Sequence, residues 1–255
     1  MKTLLFCVLA ALAIPALPTM AADAATIDTA INTAMAGADR TQADRDRDAR
    51  EKPAEVLAFA GVKPGMTVVD LLSGGGYYTE LLAGVVGPTG KVYAVNNLPY
   101  VNYAKDDIKA RFTEGRLQNV EQRVVEASYF SLPPKSADLV IIVMSYHDVY
   151  WVNEKEFWPE ISSEGFLASI RRVLKPGGKL LIVDHNAAAG TGKEMAGKLH
   201  RLNEDWAKKS ITSQGFVFEK AYQGLRNPED KLEKMVYDAS IKGKTDRYVH
   251  LYKVK

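Results

Sequence analysis

Val68-Val69-Asp70-Leu71-Leu72-Ser73-Gly74-Gly75-Gly76-Tyr77 is the stretch of this 255-residue chain that decides its fold. The apolar, β-branched run from Met66 to Leu72 suits a strand buried on both faces. Three successive glycines follow, and a helix opens at Tyr77. A strand that ends in glycines and feeds a helix lets a ligand approach the backbone closely and presents helix amides to it. Glycine also supplies any positive φ such a turn needs.

Working outward, Lys52-Pro53-Ala54-Glu55-Val56-Leu57-Ala58-Phe59-Ala60 places proline in the first turn of a helix that Gly61 ends. Downstream, Gly87-Pro88-Thr89-Gly90 turns the chain into a second strand, Lys91 to Asn96. A polar helical segment near Tyr103 to Leu117 comes next, then a strand around Gln122 to Glu126 and a strong apolar strand from Ala137 to Met144. Helical spacing recurs from Phe157 to Leu174. Lys175-Pro176-Gly177-Gly178 turns into the strand Lys179 to Asp184, and a helix is expected over Lys193 to Lys209. Strand and helix alternate regularly enough to predict a parallel sheet covered on both faces, with ligands at the carboxyl ends of its strands. The strand-like segments Gly215 to Ala221 and Arg247 to Lys253 break the alternation, which predicts an antiparallel strand completing the sheet.

The composition is that of an ordinary globular protein, 47% hydrophobic and 25% charged, with a formal charge of +2. It points to one domain and advertises neither nucleic acid nor an anionic membrane as partner. At the start, Lys2 precedes the apolar run Leu4 to Ile14, two prolines and the small-residue run Met20-Ala21-Ala22-Asp23-Ala24-Ala25. These are the parts of a cleaved signal peptide, expected over residues 1–25. The run is shorter than the ~20 apolar residues that span a bilayer, so no stable membrane anchor is expected after cleavage. Residues 26–255 then form a single domain in the periplasm or outside the cell. The one cysteine, Cys7, falls in the leader, leaving a mature part without thiols, as suits an oxidising compartment. Residues 26–52 form an N-terminal helical extension in which Arg40, Arg45, Arg47 and Arg50 alternate with Asp39, Asp44, Asp46 and Asp48. This is expected to be a solvated helix with opposite-charge neighbours.

The Asp70 to Gly76 segment and the Asp138 to Met144 strand resemble the first and fourth motifs of the class I S-adenosylmethionine-dependent methyltransferases, and Leu174-Lys175-Pro176-Gly177-Gly178-Lys179-Leu180 resembles the turn before their fifth. Gly75-Gly76-Tyr77-Tyr78-Thr79-Glu80, Tyr146-His147-Asp148 and Leu225-Arg226-Asn227-Pro228 look like a group of exported methyltransferases. The resemblance implies a Rossmann-like α/β fold: seven strands, a mostly parallel sheet with an antiparallel C-terminal strand, and helices on both faces. It also implies S-adenosylmethionine as cofactor and methyl transfer to a small molecule. The alternative is a non-catalytic, exported ligand-binding protein on the same fold.

By the same resemblance the cofactor meets Asp70, Leu72, Ser73, Gly74, Gly75, Gly76, Asn96, Glu126 and Ala127. Two of these depart from the family pattern. Leu72 stands where glycine is usual, and Asn96 stands where a carboxylate usually accepts hydrogen bonds from the ribose; its amide oxygen can accept only without charge assistance. Methyl transfer asks little more of a protein than in-line approach and sometimes a base. His147, just beyond the fourth strand, is the candidate base, with Asp148 orienting it and Tyr146 beside the acceptor. The other reading of His147 is a histidine held in a polar loop network. Asp184-His185-Asn186 forms a second polar cluster on the same sheet edge. No fixed ligand spacing is present, and no metal is assigned. The segment Gly190-Thr191-Gly192-Lys193-Glu194 hints at a phosphate loop but lacks its first glycine and its magnesium-binding hydroxyl.

Overall fold

The computed structural model describes residues 20–113 and 115–255, so most of the leader expected over residues 1–25 lies outside the described residues. Seven strands form one sheet: β1 (Thr67–Leu71), β2 (Lys91–Asn96), β3 (Val120–Val124), β4 (Ala137–Val143), β5 (Leu174–His185), β6 (Phe216–Tyr222) and β7 (Arg247–Val254). Their order is β3-β2-β1-β4-β5-β7-β6. The first five pair in parallel, and β7 enters antiparallel between β5 and β6. This is the mostly parallel seven-stranded sheet expected from the sequence. Its chain order reverses between β1 and β4, and in open α/β sheets such a switch opens a crevice at the carboxyl ends of the strands.

The central strands are buried over most of their length, which explains their apolar runs. One core covers one face around Val69, Ile142, Phe166, Ile182 and Tyr252, and a second covers the other around Val68, Leu81, Leu139, Ile141 and Leu251. The second is completed by α1 (Met20–Met35), α3 (Pro53–Ala60) and α4 (Tyr77–Val86). A Cβ on Gly84 of α4 would lie 2.7 Å from the Ala34 Cβ of α1, so that glycine is what lets the two helices touch.

The N-terminal extension departs from its expected role. It is two helices, α1 and α2 (Gln42–Glu51), and α2 is not merely a solvated face. Asp44 and Glu51 are buried in it, as is Arg40 just before it. The partners of Asp44 and Glu51, Arg111 and Arg247, lie far along the chain, beyond the reach of a pairing pattern within one helix. The polar segment after β2 is split into α5 (Leu98–Tyr103) and α6 (Lys105–Arg111). The later segments are α7 (Ser163–Val173), α8 (Glu194–Leu199) and α9 (Glu204–Ser213). The single helix expected over Lys193 to Lys209 is therefore two, broken at His200, whose backbone is left-handed at φ 54°. Asn203 caps the second, its side chain accepting from the Trp206 amide.

Candidate active site

A cavity of about 590 Å³ lies over the carboxyl ends of β1 and β4, within the size range of small-molecule sites. Its floor holds Asp70, Leu72, Ser73, Gly74 and Gly75 from the β1 exit, and Val143 and Met144 from the β4 exit. Both strands leave the sheet through a non-glycine residue in the left-handed region, Leu72 at φ 59° and Met144 at φ 54°. A left-handed non-glycine residue carries about 1–2 kcal/mol of strain, and such strain concentrates at functional sites. Leu72 thus adopts the backbone that glycine would hold without strain.

The glycine loop is clamped from behind. The Asn96 side chain makes a reciprocal pair with Gly74, accepting from its amide at 2.9 Å and donating to its carbonyl at 3.0 Å. Both ends of that amide are thereby used, and Asn96 is absent from the cavity wall, so it positions the loop rather than offering an acceptor to a ribose. Glu126 accepts from the amides of Ser128 and Tyr129, and neither it nor Ala127 lines the cavity. Gly76 also stays off the wall, closing the turn at φ 82° and starting α4. Asp70, fully buried beneath the loop, accepts from the Thr79 hydroxyl at 2.6 Å. Burial pushes its pKa up to about 6, against the opposing pull of Thr79 and Arg47.

The roof comes from parts of the chain that the sequence reading did not connect with the site. Thr41, Asp44, Arg47, Arg50 and Glu51 line the cavity from α2, as do Tyr100, Tyr103 and Asp107 from α5 and α6. Tyr237, Lys242 and Thr245 close it from the segment before β7, and Arg247 from the first position of that strand. Arg111 ties roof to floor: its Nε donates to the Gly75 carbonyl at 2.8 Å, and its terminal nitrogens bind Asp44 and Glu80. Arg116 takes the other oxygen of Glu80. Arg247 joins Glu51 and donates to the Arg50 carbonyl at 2.6 Å.

The far end is built by the β4 and β5 exits. His147 is buried; its Nδ1 lies 2.7 Å from Asp184 Oδ1, and its backbone amide donates to the other oxygen of Asp184 at 2.7 Å. Asp184, not Asp148, therefore orients this ring, because the β5 exit brings it alongside while Asp148 sits beyond Nε2 at 3.4 Å. Burial disfavours charge on His147, but Asp148 and Asp184 outweigh it and hold the pKa up at about 9. At neutral pH such a ring carries its proton, which suits a base poorly.

Burial raises the Asp148 pKa, but His147, His200 and Tyr100 more than offset it and keep the group a carboxylate. The Tyr100 hydroxyl donates to it at 2.5 Å. Asp148 reaches the cavity wall; His147 and Tyr146 do not. Tyr146 instead bonds the Tyr150 hydroxyl at 3.0 Å inside the core. His185, which does line the cavity, is held by Thr245 at 2.7 Å and kept neutral, its pKa driven well below the usual value by burial and then by His147.

The floor fits an adenosyl cofactor on two observations. A Cβ on Gly74 would meet nothing within 4 Å, so that backbone stands open to a ligand, and the buried Ser73 hydroxyl beside it has no partner among the described residues. Ser73, Gly74 and Gly75 would hold the group.

Residues 69–182 match the model of a methyltransferase domain. The chain is 30% identical over 129 residues to the ubiquinone/menaquinone biosynthesis C-methyltransferase of Hydrogenovibrio crunogenus, covering 50% of this chain and 45% of that one. It thus spans less than half of that relative's length. The homonymous enzyme of Shewanella pealeana is 25% identical over 212 residues, 77% of this chain and 76% of its own. Among solved structures, an S-adenosylmethionine-dependent methyltransferase from Aquifex aeolicus superposes with a TM-score of 0.54 at 24% identity, covering 80% of this chain and 89% of its own. The glycine-loop part of the sheet, residues 69–182, is therefore similar to a methyltransferase domain, and the sheet as a whole has the fold of that solved structure.

Proposed function

We propose that this chain is an S-adenosylmethionine-dependent methyltransferase whose small-molecule acceptor binds between the glycine loop and the β4–β5 exits. The observation that carries the reading is the open Gly74 backbone with the Ser73 hydroxyl beside it, which has no partner among the described residues, on the floor of a cavity of about 590 Å³. When bound, the cofactor supplies an electrophilic methyl group. The protein's own contribution is placement. Asn96 fixes the loop, the roof of α2 and residues 242–247 restricts water, and Asp148 and His185 present a carboxylate and a neutral imidazole to the acceptor. His185, held by Thr245, stands on the wall as a hydrogen-bonding partner that orients that acceptor.

Tyrosines 77, 78, 100, 103 and 237 line the cavity, which favours an aromatic acceptor such as a phenol or quinol. The names of the relatives point the same way. Incubating the protein with methyl-labelled cofactor and a panel of phenols, quinols and thiols tests this. Label is expected in an aromatic product, with turnover cut about 100-fold in His185→Ala; label in none of the panel contradicts the acceptor class. The reading includes export, supported by the Lys2-to-Ala25 leader pattern, and fractionation of cells expressing the full chain should place it outside the cytosol.

A further inference from the structure

His147, Asp148 and His200 stand together at the far end of the cavity, although the last is on a different element from the other two. Each offers one ligand atom, and the three atoms lie within 4.8 Å of one another. All three residues are buried, at 2%, 6% and 8% exposure. His147 Nε2 and His200 Nδ1 find no hydrogen-bond partner among the described residues, and both face the same oxygen, Asp148 Oδ1, at 3.4 and 3.5 Å. Nitrogen and oxygen joined by a hydrogen bond stand about 2.7–3.2 Å apart. Two ligands about 2.0–2.2 Å from one ion at tetrahedral angles stand about 3.3–3.5 Å apart. The observed spacings fall in the second range.

The surroundings agree. The remaining nitrogen of His147 is bonded to Asp184, the carboxylate–histidine arrangement that fixes a ligating tautomer and leaves Nε2 as the donor to a metal. The second oxygen of Asp148 is taken by Tyr100, which leaves Oδ1 as a single-point ligand. Two buried carboxylates, Asp148 and Asp184, flank the two imidazoles and supply negative charge that a divalent ion would balance. The nearby Arg201 is already committed to Asp230. Trp151 and Tyr237 pack on the His200 ring and hold it in place.

We propose that His147, Asp148 and His200 form a divalent-metal site, zinc by preference, with a fourth position open toward the cavity that Asp148 lines. Two nitrogens and one oxygen suit zinc, and a three-residue ligand set with an open position is the pattern of a reactive rather than a purely structural site. Neither a sequence motif nor ligand spacing reveals it, because His200 reaches the site only through the left-handed break after α8.

Cobalt titration of the chelator-treated full-length protein tests the site through its visible spectrum, independently of any methyl transfer. The expected result is one ion per chain and the intense bands of a four-coordinate site, displaced by one equivalent of zinc. His200→Ala should weaken binding at least 100-fold, and Asp184→Asn by about 10- to 100-fold. His250→Gln, a change in the only other histidine besides His185, should leave it intact. Circular dichroism confirms that each variant is folded. The weak spectrum of six-coordinate aqueous cobalt with wild-type protein, or a bound spectrum unchanged in folded His200→Ala, would overturn the proposal.

Discussion

Around Arg111 every charge meets its opposite: Asp44, Glu80 and the Gly75 carbonyl share one guanidinium, and Arg116 completes Glu80. Around His147 the same cavity is bordered by a network left incomplete, in which two ring nitrogens face one carboxylate oxygen beyond hydrogen-bond reach. A buried charge network that is fully paired can only hold elements together. One with unspent donor atoms retains capacity for a ligand, since unsatisfied buried groups persist only where something compensates them. The first network fastens α2 onto the glycine loop; the second stands where an acceptor would react.

Breaking the paired network should have the largest effect on stability. Arg111→Ala strands Asp44 in a buried site, leaves Glu80 with Arg116 alone, and is expected to lower the unfolding free energy by about 3–5 kcal/mol in urea titrations. A change below about 1 kcal/mol would show that the roof is fastened by other means.

Asp70 sharpens the comparison from below the loop. Its pKa in the folded protein is raised to about 6, so the folded state holds the proton more tightly than the unfolded chain does. The associated stability is fully present below the unfolded value and is lost as pH rises from about 4 through about 6, a change on the order of 3 kcal/mol. Asp70→Asn, which keeps an acceptor for Thr79, should remove that part of the pH dependence. Melting curves of both proteins between pH 4 and pH 7.5 check this, and parallel profiles would contradict it.

Leu72→Gly sets two effects against each other. It relieves about 1–2 kcal/mol of left-handed strain but removes a buried side chain whose loss from a core takes roughly 2–5 kcal/mol. Stability should therefore fall by about 1–3 kcal/mol while cofactor affinity rises about tenfold as the floor widens. The smallest stability change belongs to Gly74→Ala. Its Cβ meets nothing, and the φ of 55° adds only about 1 kcal/mol of strain. Yet it places a methyl group where the cofactor is expected, so binding should weaken far more than folding does.

The sheet and its glycine loop were legible because their signals are local: apolar runs for β1, β2, β4 and β5, and three glycines at one strand exit. The roof was not. Alternating Asp and Arg in residues 39–50 look like helix-surface pairs, whereas Asp44 and Glu51 pair with Arg111 and Arg247, distant in sequence. Asn96 and Glu126 were found at their expected strand ends, but a strand end does not reveal whether a side chain turns toward the cavity or back onto the backbone. His200 was hidden inside one expected helix. Asn203-Glu204-Asp205, a capping residue followed by an acidic first turn, was the available signal that a new helix starts there.

The most direct test of the central claim is calorimetric titration of the full chain with S-adenosylmethionine, in wild type and in Gly74→Ala. The account predicts one site per chain at about micromolar Kd or tighter in wild type, and a loss of at least tenfold in the folded Gly74→Ala protein. No binding at millimolar cofactor, or equal binding by both proteins, would contradict it.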